Sequence, residues 1–596
     1  MYTWGFGYTA TKFLKNSENF LERNIMRVGF GLGIFPIVSI ILGVLRVPMD
    51  WKIFLFLSFI VPTISLFVYL IKGKSPELKL RLTKSNINIF IVLVLAGLSF
   101  FMYAGGAFKY PWLEDDDPWA HAHGIKFIKI EKTIFEPIKG EGHLHYIDPY
   151  PPAYDILMAI LHQTSPSMNW TLKFFNSLII CLGIIFFYFF VKKFIGDKNK
   201  ALFSTFILAA IPCYLSHFIW AHSLVVTLFY PIFYCFEMLK EDKRYMYIAA
   251  LIIGSILVVQ PTQSIKFAVL LLIYWLVKAV FEKKLLLNII IAGLIGFLLS
   301  LSWWGVMLAK YDGLSGLADA MHYQKQGIHV KGTADRLYTF QDFFIARKQN
   351  MINNPVGVGV VISLLLIMGL IYLGFQYNSL LKKENSWKLI VLAWLIFTFI
   401  GIHGARLPIS LFAFRFWMLF AIPTSIIAAE GMWFLFGIGK SSGIPKIFIL
   451  IVVIIGIFFT SVVQKYTVNT AIWSPGGGFE SYEQVMDYSW IRTLPPNTKI
   501  FGFCHIDSVF RIIGFDQTDY GWRSDVLEMR QTAINKSVDS IYSWLKKEKY
   551  EYTIFDTDCA REYGINATNA KLQELISSGK FQPVKQGVGL VVLKVL

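Results

Sequence analysis

Residues 109–155 read KYPWLEDDDPWAHAHGIKFIKIEKTIFEPIKGEGHLHYIDPYPPAYD. This is a polar island in an apolar chain. Glu114, Asp115, Asp116 and Asp117 follow at once on an apolar run that ends near Tyr103, and His121 and His123 come next. His143, His145 and Asp148 lead into Pro149-Tyr150-Pro151-Pro152. Consecutive carboxylates repel one another and separate unless something positive gathers them. A solvated acidic loop explains the acids but not the imidazoles, aromatics and turn-setting prolines among them. The stretch is therefore a candidate active site.

Outward from it, the sequence is greasy. Hydrophobic residues make up 55% of the 596, aromatics 16%, and mean hydropathy is +0.54. The fold class is a polytopic α-helical membrane protein, because the apolar runs have helix length and lack the alternation of barrel strands. Apolar runs lie at about 25–46, 51–71, 87–104, 171–194, 201–218, 224–239, 245–260, 265–281, 285–308, 356–375, 387–402, 415–436 and 445–465. That predicts about thirteen spans. Lysines and arginines concentrate in every second connection: before the first run, then near 72–81, 192–200, 240–244, 283–284, 382–388 and 440–446. This is the positive-inside pattern, so the N-terminus is expected in the cytoplasm and the tail after about 466 outside. The net charge of +17 thus belongs to topology and to membrane lipids, with no nucleic acid implied. The island 109–155, the His217–His222 turn, the loop 310–355, the His403–Arg406 turn and the tail all fall on the outer side. A transporter would place its polar groups near mid-membrane; one polar face favours a surface-facing enzyme.

The tail reads as a small α/β domain. Helical spacing at Ser481–Leu494, Val538–Lys547 and Lys571–Ser578 alternates with strands at Lys499–Cys504, Tyr550–Asp556 and Gly587–Leu596. Cys181, Cys213 and Cys235 lie in apolar runs, whereas Cys504 and Cys559 fall in the tail, where pairing is open. Asn-x-Ser/Thr sequons occur at Asn169, Asn535 and Asn566.

Carboxylates at the outer end of an apolar bundle suit sugar transfer from a lipid-linked phosphate. The lipid lies in the bilayer and its phosphate at the interface, where such loops converge. An acceptor hydroxyl or amide needs a general base, for which Asp117 and Asp116 are the candidates. The leaving phosphate needs arginine, here Arg415 or Arg406, or a divalent cation. Carboxylate oxygens would select Mg²⁺ or Mn²⁺, and the imidazoles of His121, His217 and His222 shift the preference toward Mn²⁺ or no metal. Some of the four acids only cap a helix beginning near Pro118.

Here the sequence resembles a known family. Asp117-Pro118-Trp119-Ala120-His121 looks like the first-loop motif of oligosaccharyltransferase catalytic subunits, members of the GT-C membrane glycosyltransferases. The Asp148–Tyr154 segment, with Tyr150, resembles the proline-rich stretch that precedes a span in many GT-C enzymes. Leu215–His222 sits where that family has its second acidic motif. Thr333-Ala334-Asp335 resembles the short acid-ending loop motif, and Arg415-Phe416 an Arg-Phe pair at the corresponding helix. The resemblance implies an inverting transferase using a polyprenyl- or dolichyl-phosphate-linked donor. It implies Asp117, with Asp335, as metal ligands, and Trp119, His121, Tyr150, His217, His222, Arg406 and Arg415 as substrate-binding residues. It also implies a division into residues 1–86 with two extra spans, a core at 87–465 with outer loops 105–170 and 310–355, and the outer domain 466–596.

Two departures bear on the acceptor. The WWDYG signature that reads the acceptor sequon is absent from 466–596, where Asp519-Tyr520-Gly521-Trp522 is the nearest string. The second acidic motif is replaced by His217 and His222. Both favour transfer from a lipid-linked sugar over asparagine-sequon transfer, which stays the alternative. A non-catalytic protein that binds or translocates lipid-linked glycan is the second alternative.

Overall fold

The structure, a computed structural model, describes residues 1–72, 84–135, 144, 146–165, 167–326, 337–346, 356–406, 412–471, 473–476, 478–504 and 506–596. His143, His145 and the Thr333–Asp335 motif lie outside them.

The first helices are Tyr2–Thr11 (α1), Phe20–Val44 (α2), Trp51–Ile71 (α3) and Lys84–Ala107 (α4). Asn19 and Asp50 cap α2 and α3 through the backbone N–H groups of Glu22 and Lys52. α2 is built into the bundle, where its Ile37 N–H meets Ser255 Oγ at 3.0 Å. α3 lies at the edge and leaves Phe56, Leu66 and Phe67 exposed for lipid. Two helices then form at the end of the bundle that meets the tail, Asp116–Glu131 (α5) and Ala153–His162 (α6).

The core continues with Met168–Ile195 (α7), Lys198–Ala210 (α8), Ala221–Met238 (α9), Tyr245–Leu257 (α10), Pro261–Glu282 (α11), Leu287–Lys310 (α12) and Leu314–Gln326 (α13). Val360–Phe375 (α14), the single turn Tyr377–Leu380 (α15), Ser386–Ile402 (α16), Trp417–Ser441 (α17), Lys446–Ile457 (α18) and Val463–Asn469 (α19) complete it. A π-turn at Phe458–Val462 joins the last two.

Among the described residues, 10 helices are long and apolar enough to cross a membrane, making this a multi-pass membrane protein. The run expected at 201–218 is the clearest shortfall. Its helix, α8, stops at Ala210 because Ile211 precedes Pro212 and is driven to extended backbone (φ −61°, ψ 125°). Residues 211–220 then form an irregular buried turn instead of a span. The end of the bundle away from the island is fastened by buried ion pairs. Lys192 reaches Glu22 at 2.7 Å, Lys278 reaches Glu237 at 2.8 Å, and Lys200 reaches Glu430 at 2.6 Å. Each carboxylate is nearly fully buried, so losing its partner strands a charge.

The tail contains Tyr482–Ser489 (α20), Ile506–Gly514 (α21), Ser524–Thr532 (α22), Val538–Lys547 (α23), Thr557–Tyr563 (α24) and Ile565–Ser577 (α25). Its strands are Ile500–Gly502 (β1), Tyr552–Asp556 (β2), Phe581–Gly587 (β3) and Leu590–Val595 (β4), in the order β1-β2-β4-β3. β1 and β2 run parallel and the other pairs antiparallel. Cys504 and Cys559 form a disulfide between the end of β1 and α24. Strand β3 was not read from sequence. It carries Pro583, Lys585 and a register shift on the sheet edge, all features that blunt an edge and erase the alternation.

The tail packs onto the island. Trp119 donates its indole N–H to the Pro475 carbonyl at 2.8 Å and lies between Phe479 and Phe515. The Asp115 N–H meets the Ser474 carbonyl at 2.8 Å, and Lys126 Nζ reaches Asn497 Oδ1 at 2.9 Å. Gly476 sits at φ +61°, and a Cβ there would come within 2.0 Å of the Asp115 backbone.

Candidate functional site at the tail end of the bundle

Helix α5 opens at Asp116, with Asp115 as its N-cap, so Asp117 stands in the first turn where the N-terminal dipole favours a carboxylate. The Tyr146 hydroxyl donates to Asp117 Oδ1 at 2.7 Å. Burial, with the Asp117 charge beside it, holds the Tyr146 phenol well above its usual value, so it stays protonated and donates. The Tyr146 ring stacks on His121, centroids 3.9 Å apart and planes 13° apart, and His121 Nδ1 meets Asp155 Oδ1 at 2.6 Å. Asp155 belongs to α6 and fits only because α5 has Gly124 there; a Cβ would stand 2.4 Å from Asp155 Oδ2.

Within electrostatic reach of Asp117 is Arg415, in the 3₁₀ turn that leads into α17. Its guanidinium feels the charges of Tyr150, Asp117 and Tyr146, and Nη1 donates to Thr262 Oγ1 at 3.2 Å. Its Nε has no hydrogen-bond partner among the described residues. Thr262 belongs to the cap of α11. There Gln260 Oε1 accepts from the Gln263 N–H at 2.6 Å and from Thr262 Oγ1 at 3.1 Å, while Gln260 also bonds Tyr150. One turn into α11, Lys266 is 6% exposed and sits over the Phe416 ring at 4.3 Å, within electrostatic reach of Arg415. His222, in the first turn of α9, lies within reach of Arg415, Lys266 and His121.

Around these groups, Lys266 Nζ, both amide atoms of Gln263, His222 Nε2, Ser223 Oγ and Trp417 Nε1 are buried with no hydrogen-bond partner among the described residues. Buried polar atoms are ordinarily paired, so a cluster of unpaired ones marks a place built for a polar ligand. The Arg415 guanidinium and the N-terminal ends of α9 and α11 favour an anionic ligand there.

The structure thus brings together Asp117, His121, Tyr150, His222 and Arg415 from the sequence reading. It assigns other places to the rest. Trp119 is a docking residue, its indole spent on the tail as described above. His217 turns away from Arg415: its Nε2 meets Glu114 Oε2 at 2.8 Å and its ring stacks on Trp473 at 4.0 Å. Arg406 is exposed beside His403 and is not brought to Asp117. Asp116 is half-buried at the first position of α5, acting on Asp115. Asp148 is held by Lys310 and by the Tyr311 hydroxyl at 2.7 Å, which anchors the proline-rich segment to α12. The Asn169 amide donates to the Pro111 carbonyl at 2.9 Å and is buried, unlike an exposed glycan acceptor. Asp519 is fully buried, accepting from both the Gly502 N–H at 2.8 Å and Arg530 at 3.0 Å. Asp519 is therefore held in the tail core, while Trp522 at the other end of the string donates to Glu131 Oε1 at 3.0 Å and packs on α5.

Sequence reading missed Tyr146, Asp155, Thr262, Gln263 and Lys266. For Lys266 a signal existed, since a lysine inside an apolar run marks function by default. A divalent cation on Asp117 does not fit the described neighbours. The carboxylate accepts from the Tyr146 phenol at 2.7 Å and its charge acts on the Arg415 guanidinium, which already supplies a positive partner. No group of three or more His, Cys, Asp or Glu side chains gathers among the described residues, and Asp335 lies outside them.

No family model matches the chain, and no curated protein matches it. Among solved structures it is similar to the archaeal oligosaccharyltransferase AglB from Archaeoglobus fulgidus, in complex with an inhibitory peptide and a dolichol-phosphate. There the identity is 13%, 84% of this chain and 73% of that chain are covered, and the TM-score is 0.49. ArnT from Cupriavidus metallidurans, bound to undecaprenyl phosphate, is similar at 14% identity over 85% of this chain and 97% of that one, TM-score 0.45. The arabinofuranosyltransferase AftD from Mycobacteria is similar at 13% identity over 85% of this chain and 40% of that longer one, TM-score 0.45. At such identities the likeness lies in the layout of the chain, and what the site does rests on its own residues.

Proposed function

We propose that this protein is a GT-C-type membrane glycosyltransferase that moves a sugar or glycan from a polyprenyl-phosphate-linked donor to an acceptor at the outer membrane face. What supports the reading is Asp117, held by the Tyr146 hydroxyl at 2.7 Å, within electrostatic reach of Arg415, with Lys266 over the neighbouring Phe416 ring, at the end of an apolar bundle. A carboxylate base and a cationic phosphate cradle side by side are what single-displacement transfer requires. The acceptor heteroatom attacks the anomeric carbon and passes its proton to Asp117. The bond from that carbon to the phosphate oxygen breaks, and its electron pair leaves on the phosphate, where Arg415 and Lys266 meet the growing charge. One displacement inverts the anomeric centre. Gln263, Ser223, His222 and Trp417 offer polar atoms to the sugar. This scheme assigns the phosphate charge to Arg415 and Lys266 and routes no step through a metal.

The lysine alternation supports a cytoplasmic N-terminus and an outer tail. The Cys504–Cys559 disulfide supports the same orientation, since such bonds persist outside the reducing cytosol.

The test is mass spectrometry of glycans and lipid-linked sugars in cells that lack the gene, complemented by the wild type or by Asp117→Asn. The transferase reading expects loss of a glycan and build-up of its lipid-linked donor, corrected only by the wild type. Full correction by Asp117→Asn would support a non-catalytic glycan-binding or translocating protein instead.

A further inference from the structure

The three Asn-x-Ser/Thr sequons are one motif in sequence and three different places in the structure. Attachment of a glycan needs the asparagine carboxamide and the hydroxyl two residues on to be reachable together, on backbone that an enzyme can hold extended. At Asn169 neither group is reachable. Its amide is 8% exposed and donates to the Pro111 carbonyl, and Thr171 is fully buried, its hydroxyl donating to the Ser167 carbonyl at 2.8 Å. At Asn566 the asparagine is exposed, but it lies in the first turn of α25. There Thr568 is buried, and its hydroxyl donates to the Cys559 carbonyl at 2.9 Å and the Gly564 carbonyl at 3.0 Å. That hydroxyl ties α25 to the disulfide-bearing helix α24.

At the third sequon both groups are reachable, since Asn535 and Ser537 are exposed. Asn535 ends the short 3₁₀ turn Ala533–Asn535, which the Lys536 N–H closes on the Ala533 carbonyl at 3.2 Å. Short 3₁₀ turns have poorly aligned bonds and open at small cost. Lys536 (φ −82°, ψ 151°) and Ser537 (φ −65°, ψ 152°) are already extended. Ser537 Oγ only accepts, from the Ser540 N–H at 3.4 Å, so its own O–H is left to donate. Ala533 and Val538 on either side are fixed in the tail's apolar core with Phe501 and Leu593, so the sequon projects from a rigid base.

We infer that Asn535 is a site of N-linked glycosylation; this rests on the outer placement of the tail argued above. The donor is a glycan linked to lipid through phosphate, and the catalyst is a separate asparagine glycosyltransferase of the outer face. Asn535 Nδ2 bonds to the anomeric carbon and gives one proton to that enzyme's base. The bond from the carbon to the phosphate oxygen breaks, and its electron pair leaves on the lipid phosphate. The product carries a bulky, hydrated group on an exposed turn, where it displaces no packed side chain.

The experiment purifies the full chain from the membranes of its own host and weighs peptides spanning each of the three asparagines by mass spectrometry. Added glycan mass is expected on Asn535 and on neither Asn169 nor Asn566. Asn535→Gln and Ser537→Ala are expected to lose it, while Ser537→Thr keeps both the hydroxyl and the α23 cap and is expected to retain it. Melting curves confirm that each variant folds. An unmodified Asn535 in the wild type, or glycan on Asn169 or Asn566 in its place, would overturn the inference. Glycan retained in Ser537→Ala would overturn its sequon basis. With Asn535 unmodified, labelling of Ser577→Cys by an impermeant reagent on intact cells leaves the outer tail standing and sinks the inference alone. Absence of that labelling would overturn the orientation along with it.

Discussion

The hydroxyl of Tyr146 donates to the Oδ1 atom of Asp117 at 2.7 Å, across 29 residues of sequence. That bond uses one carboxylate oxygen and leaves Asp117 held by a group that cannot take its proton. Asp117→Asn is expected to lower turnover by on the order of 10²-fold or more with an unchanged melting temperature. Tyr146→Phe should cost about tenfold, because a positioning bond is lost and the base is kept. Glu114→Gln should leave turnover within a few-fold and show itself in melting, since its partner is His217. Equal, mild losses from Asp117→Asn and Glu114→Gln would show that Asp117 is not the base.

In the proposed transfer Arg415 and Lys266 meet the charge of the phosphate. Arg415→Ala should abolish turnover, and Arg415→Lys should restore only a fraction, because an ammonium cannot reproduce the guanidinium fork. Activity should survive EDTA. Complete loss in EDTA, rescued by Mg²⁺ better than by Mn²⁺, would mean that an acid outside the described residues, Asp335 first, completes a metal site.

Trp119 joins the island to the tail. Trp119→Ala removes a fully buried indole and should destabilise the packing by about 3–5 kcal/mol. Gly514→Ala should act at the same place from the other side, since its Cβ would stand 2.1 Å from the Trp119 ring. Limited proteolysis should release the tail from both variants sooner than from the wild type. Resistance equal to wild type would refute the docking role.

The orientation can be read with an impermeant maleimide on intact cells. Ser577→Cys, on exposed tail, should label, whereas Lys284→Cys, in a lysine-rich connection, should label only after permeabilisation. The native cysteines give little background, because three are buried and the other two are joined. Labelling of Lys284→Cys from outside would overturn the common outer face.

A pH dependence follows from Asp115. Its folded value is about 8 against an ordinary 3.8, raised by burial and then by Asp117. Between those values the folded chain binds the extra proton, so this group's contribution to stability is full below about pH 4 and is lost as pH rises through about 8. Asp115→Asn should flatten the fall in melting temperature between pH 5 and pH 9. Parallel curves for variant and wild type would show that Asp115 is not held in its protonated form.

The membrane class, the helical spans and the polar outer end were legible in the sequence because apolar runs and lysine placement act locally, one segment at a time. Asp117 and Arg415 were legible as members of short motifs. What surrounds them was not. Trp119 lies two residues from Asp117 and reads as a site aromatic, yet which side of α5 met the tail was decided by Pro475, Phe479 and Phe515, hundreds of residues away. His217 and His222 look equivalent in sequence, and only the turn forced by Pro212 sends one to Glu114 and the other toward Lys266. Sequence alone marked most of the segments that can cross a bilayer, because burial in lipid depends on composition, but not the break that Pro212 puts in the run at 201–218. Tertiary structure alone decided which charges face one another, because the neutrality of a buried site is a property of the set of groups that meet there.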